Sequence, residues 1–140
     1  MKVWDEAFCE DKAAGSSTAC IITLHKDNML HAVNIGDSGF MVIGQAAAIY
    51  RSPIQQHSFN FPYQLGNCAN CGKPPQAQVI KVAVEAGDVI VAGTDGLFGN
   101  FSESQISETV VTGIKRGLHP EDDLGKWCNE LTTFPWIERS

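Results

Sequence analysis

A chain of 140 residues, 44% hydrophobic and 19% charged, has the composition of one soluble globular domain with a single core. Its formal charge of −6 and the lack of any Lys/Arg cluster exclude nucleic acid as a partner, because phosphate backbones select a basic face. No apolar run reaches the roughly 20 residues that a spanning helix needs, so no membrane partner is expected. The opening Met1-Lys2-Val3-Trp4-Asp5-Glu6 has neither the apolar segment of a signal peptide nor the arginine-rich character of a transit peptide, so the chain as it stands is expected in the cytosol. Asp5, Glu6, Glu10 and Asp11 then read as the solvated face of a helix.

From Ser16 to His25 the residues are largely β-branched or apolar, Lys26-Asp27-Asn28 supplies a turn, and Met29 to Ile35 resumes the apolar pattern, which predicts a hairpin. Phe40 to Ile43 and Ala46 to Tyr50 follow by short connections, so the segment is expected to continue as an antiparallel meander. Ser52 to Pro75, with prolines at 53, 62, 74 and 75, reads as a long irregular connection. Within it Cys68 and Cys71 have the spacing of half a zinc knuckle or a redox pair. No second pair exists and five cysteines make no disulfide framework, so free thiols on a loop are the expectation.

Strands return at Ala77 to Val84 and Asp88 to Thr94, joined by Glu85-Ala86-Gly87, where a positive φ at the glycine and a turn role for Asp88 are expected. The period then changes. Ser102 to Gln105 matches a capping box, Ile106, Val110 and Ile114 share one face, and Gly117 closes an amphipathic helix. A second helix is expected from Pro120, with Glu121, Asp122 and Asp123 in its first turn. Strands followed by helices, without βαβ alternation, place the chain in the α+β class.

Two aspartates carry the chemistry of this pattern. Asp37, in Asn34-Ile35-Gly36-Asp37-Ser38-Gly39, and Asp95, in Val91-Ala92-Gly93-Thr94-Asp95-Gly96, each follow an apolar run and have glycine neighbours. An aspartate so placed either caps a turn or points into a shared polar site, and a pair of them suits a metal ion in an acidic protein. His57 is expected to pack in its loop, with a general-acid role near neutral pH as the alternative. His25 and His31 flank the hairpin turn, exposed or paired across strands.

Four runs in order, Gly15-Ser16-Ser17-Thr18-Ala19, Asn34 to Gly39, Gly87-Asp88-Val89-Ile90-Val91-Ala92 and Thr94-Asp95-Gly96-Leu97-Phe98-Gly99-Asn100, resemble the metal-dependent serine/threonine phosphatases of the protein phosphatase 2C type. Arg51 to His57 and Phe59 to Leu65 resemble the branch of that family found in plants, mitochondria and plastids, which would add an organelle to the possible locations. The likeness covers roughly residues 15–111 of what reads as a single, incomplete phosphatase domain. It implies a partial antiparallel β-sandwich flanked by helices, and Mg2+ or Mn2+ ions held by carboxylates that activate water against a phosphoprotein substrate. By motif, Asp95 corresponds to a ligand of the paired metals and Asp37 to a ligand of a third ion.

The departures from that pattern bear on activity. Gly99 stands where the family has an aspartate that helps hold the third ion, and nothing in Met1 to Ala14 matches the family's earlier metal and phosphate motifs. Asp122-Asp123 lies in helix-start context instead of the family's closing metal motif. A sandwich short of its early strands is expected to leave an edge and an apolar face uncovered. The expectation is a phosphatase that needs further ligands to work; the alternative is a catalytically inactive, phosphatase-like binding module.

Overall fold

The computed structural model describes residues 15–66 and 76–118. The expected N-terminal helix, the Cys68 and Cys71 loop, the helix from Pro120 and Asp122-Asp123 lie outside the described residues. Ten strands are seen: β1 (Ser16–Ser17), β2 (Ala19–Leu24), β3 (Met29–Ile35), β4 (Gly39–Ile43), β5 (Ala48–Arg51), β6 (Gln56–Ser58), β7 (Phe61–Pro62), β8 (Leu65–Gly66), β9 (Gln78–Ala83) and β10 (Val89–Gly93). Helix α1 spans Asp95–Phe98 and α2 spans Glu103–Lys115.

Two three-stranded antiparallel sheets dominate, ordered β2-β3-β9 and β10-β4-β5. The hairpin of β2 and β3 forms as expected, with Leu24 opposite Leu30. The meander does not. After β3 the chain passes through Gly36-Asp37-Ser38 into the other sheet, so β4 pairs with β10 and β5 and not with β3. In the same way β9 and β10, consecutive across a tight turn, belong to different sheets. Alternating polarity fixes which face a residue takes, but it does not say which strand lies alongside.

Burial explains the division. Along β3 the even positions Leu30 and Ala32 face inward, and along β9 Ile80 and Val82 do so; with Phe40 and Val42 of β4 they form the core between the sheets. The opposite face of β4 offers Met41 and Ile43 to α2, whose Ile106, Val110 and Val111 complete a second core. All five residues of β4 are therefore buried, and the layers run sheet, sheet, helix. The outward face of β2-β3-β9 carries Ile21, Val33 and Val79 in one row across three strands, with Val79 74% exposed.

Local signals hold where the geometry is local. Ser102 and Gln105 form the reciprocal capping box of α2, and Gly117 follows that helix with φ +78°. Gly87 has φ +96°, and Asp88 Oδ2 accepts from the Glu85 N–H at 2.9 Å across that turn. The expected irregular connection after Ser52 contains a short hairpin of β6 and β7, and β8 returns to pair with β1. Among the described residues no helix is long and apolar enough to cross a membrane.

The crossing between sheets depends on Gly36. Its φ is +100°, and a Cβ there would press on the Thr18 side chain and lie 2.7 Å from the Tyr63 carbonyl oxygen. Gly87 has the same sign of φ but open space around it, with nothing within 4 Å of a Cβ. Gly87→Ala is therefore expected to cost about 1–2 kcal/mol from backbone strain alone. Gly36→Ala should cost about 1–3 kcal/mol more, because the neighbours must also move. Urea unfolding of the two variants beside the parent chain measures the difference.

Candidate active site at one end of the sandwich

Gly39, the first residue of β4, is the register partner of Gly93, the last residue of β10. The strands are antiparallel, so Asp37, two residues before β4, and Asp95, two residues after β10, leave the sheet at the same end. Residues 58 apart in sequence are sent to one end of the sheet by that pairing.

Each aspartate sits on a braced turn. Beside Asp37, the Ser38 hydroxyl lies 2.8 Å from the Thr18 hydroxyl, and the Gln55 N–H donates to the Gly36 carbonyl at 2.9 Å. The Asp37 side chain is half-buried and makes no hydrogen bond or ion pair with any described residue. Asp95 is the first residue of α1. Thr94 caps that helix, its Oγ1 accepting from the Gly96 N–H at 3.2 Å, and Asp95 Oδ1 accepts from the same N–H at 2.9 Å. Asp95 thus takes a turn role with one oxygen while its exposed side chain remains open to solvent.

Around these turns lie groups that sequence reasoning did not single out. Arg51, at the end of β5, places its guanidinium 3.5 Å from the centroid of the Phe98 ring of α1. Its Nη1 donates to the Phe40 carbonyl at 3.5 Å and to Ser52 Oγ at 3.4 Å. Burial holds the Arg51 guanidinium below its ordinary pKa, against the opposing pull of Glu103 and Cys20. Burial likewise pushes the Cys20 thiol up, with Arg51 acting the other way. An arginine ending a strand carries no periodic signature, so only its ring partner reveals the role.

Asn34 is fully buried on β3, level with Cys20 and Gln78 on the inward face, and neither polar atom of its amide has a partner. The carbonyl oxygens of the Gln55 and Gln78 side chains are also buried and unpartnered. A lone Asn inside an apolar run was the available signal. The described histidines make ring contacts: His57 packs on Tyr63 and Phe61 at 4.1 and 5.0 Å between ring centroids, and His25 stacks on His31 at 4.1 Å. An open groove of about 740 Å³ runs between Ala46-Ala47-Ala48 and α2, at the far end of β4 from the aspartates.

Mg2+ and Mn2+ take oxygen ligands, and the two aspartates are donors of that kind. They are too few. Among the described residues no group of three or more His, Cys, Asp or Glu side chains is placed to hold a metal ion. These residues alone therefore do not make the metal centre that the resemblance implies.

The sequence pattern of the family described as "Protein phosphatase 2C" matches residues 4–131. The chain belongs to the protein phosphatase 2C family. It is 48% identical over 126 residues to "Probable protein phosphatase 2C 80" of Arabidopsis thaliana, covering 90% of this chain and 30% of that protein. It is 46% identical over 139 residues to "Protein phosphatase PTC7 homolog fig" of Drosophila mojavensis, covering 88% of this chain and 45% of the relative. The solved structure of the photosystem II phosphatase PBCP superposes with a TM-score of 0.73 at 30% identity, over 84% of this chain and 48% of that one. The α+β fold with antiparallel sheets is thus a protein phosphatase 2C fold, and the chain spans less than half the length of these relatives.

An unpartnered buried amide weakens a fold, whereas an apolar isostere does not. Asn34→Leu is expected to raise stability by about 1–2 kcal/mol in urea unfolding. Unchanged or reduced stability would mean that the Asn34 amide is satisfied in solution.

Proposed function

We propose that this chain is part of a metal-dependent protein serine/threonine phosphatase acting on phosphoserine and phosphothreonine in a phosphoprotein, with Asp37 and Asp95 as ligands for Mg2+ or Mn2+. The observation that carries this reading is the Gly39–Gly93 register, which sends both aspartates out of one sheet end in a member of the phosphatase family. The open Asp37 carboxylate and the exposed Asp95 carboxylate would serve as oxygen donors, held by the Thr18–Ser38 and Thr94–Gly96 contacts. The remaining donors must come from residues other than those described, and because the family's earlier metal and phosphate motifs do not occur in Met1 to Ala14, the chain is expected to be a weak catalyst by itself.

A second reading, an inactive phosphatase-like module that binds a phosphoprotein or another partner, draws on Gly99. A Cβ at this position would lie 2.6 Å from the Asp95 carbonyl oxygen, so an aspartate side chain does not fit without moving α1. The third-ion ligand expected from the family has no room here in the present backbone.

Mn2+ uptake followed by electron paramagnetic resonance, together with hydrolysis of a phosphothreonine peptide, tests both readings. As metal ligands, Asp37→Asn and Asp95→Asn should each weaken Mn2+ binding by about tenfold or more. Any Mn2+-dependent turnover should vanish in Asp95→Asn. Uptake indifferent to both substitutions would remove these aspartates from the site; Mn2+-dependent turnover that is lost in Asp95→Asn would exclude the inactive module, whereas no turnover in a folded sample would leave an incomplete phosphatase and a binding module both standing.

A further inference from the structure

We infer that Arg51 is a positioning residue: by clamping the Phe98 ring against the start of β4, it sets the orientation of the helix that begins with Asp95 relative to the turn that carries Asp37. The inference takes the location of the site from the phosphatase reading above, but the clamp itself is a matter of geometry.

Arg51 is the register partner of Met41, so its side chain leaves β5 on the face of the sheet that packs against the helices. From there the guanidinium reaches back along β4 to the residue next to Gly39. A Cβ on Gly39 would collide with Ser52 Oγ and lie 3.1 Å from Arg51 Nη1, so the glycine leaves room for the serine anchor on which the arginine rests. Ser52 is nearly fully buried, and its hydroxyl also accepts from the Phe40 N–H at 2.9 Å, which fixes the anchor for Nη1. One edge of the planar group is therefore tied to the strand that follows Asp37, while its flat face lies on Phe98, three residues after Asp95.

A guanidinium can do both at once because its donors lie in the plane and its cationic face is left for stacking. Helix α1 needs such a tie. It has only four residues, none of them buried, and its hydrogen bonds are all local, from the Thr94 cap through the N–H groups of Gly99, Asn100 and Phe101 and the Asn100 side chain. A single turn of helix is not stable by itself, so contacts with the sheet must choose its direction. Leu97 and Phe98 pack on the second core, and Arg51 supplies the directional contact.

Amide hydrogen exchange resolved by NMR on the full 140-residue chain tests the inference. Arg51→Met keeps the aliphatic stem and removes the cationic plane. It should speed exchange at Leu97, Phe98 and Phe101 by about tenfold, the scale of a partly desolvated cation–π contact, while Met41 and Val42 stay as protected as in the parent. Phe98→Leu should produce the same local loosening and add little to Arg51→Met in the double variant, because both remove one contact. Arg51→Lys, which keeps charge over the ring but loses the fork, should fall between. Unchanged exchange at 97–101 in Arg51→Met would overturn the inference, as would equal loosening of β4 and β10, which would make Arg51 a general stabiliser. Additive effects of the two single substitutions would overturn it too. None of these readouts needs bound metal or turnover, so a chain that fails as a phosphatase leaves the clamp separately decided.

Discussion

Strand β4 is buried on both faces, and the rest of the structure is arranged around that fact. Phe40 and Val42 supply the sheet-to-sheet core while Met41 and Ile43 supply the sheet-to-helix core, so five residues serve two hydrophobic interfaces. A strand in this position cannot offer a polar side chain to solvent along its length without leaving it unpaired in an apolar layer. Polar chemistry is pushed to its ends. At one end Gly36-Asp37-Ser38 enters the strand; at the other, Ala46-Ala47-Ala48 and α2 frame a groove lined also by Glu103, Glu108 and Lys115.

The antiparallel pairing of β4 with β10 decides which chain segments share that end. The chain enters β4 where it leaves β10, so the residues just outside the two strands become neighbours whatever their separation in sequence. The same end gathers the Thr18–Ser38 hydroxyl pair, the Gln55 contact to Gly36, and Arg51 spanning from the Phe40 carbonyl to Phe98. The proposed metal site rests on this end. The donor set among the described residues remains short of a metal centre, and Gly99 lies too close to the Asp95 carbonyl to carry a longer side chain in place.

The features legible in the sequence are those whose cause lies within a few residues. The capping box of Ser102 and Gln105, the turn at Gly87 and Asp88, the β2–β3 hairpin and the inward face of α2 all depend on contacts between near neighbours, and all stand in the structure. The meander expected from Met29 to Tyr50 is different. Its strands have the right alternation, but the step from β3 to β4 changes sheets, and nothing in alternation distinguishes a hairpin from a crossing. Gly36 was visible as a turn residue; that its missing side chain makes room for Thr18 and the Tyr63 carbonyl was not.

Sequence alone determined the α+β class, the residue types able to meet a metal or phosphate, and, through its ordered motifs, the family likeness. It could do so because periodicity, capping and turn chemistry act through short-range sterics and hydrogen bonds. Tertiary structure alone decided which strands share a sheet, that Asp37 and Asp95 leave the same end, and that Arg51 lies on Phe98 while the Asn34 amide goes unpartnered. Those outcomes depend on which apolar faces bury each other, a choice made by packing between segments far apart in the chain and therefore carried by no local pattern.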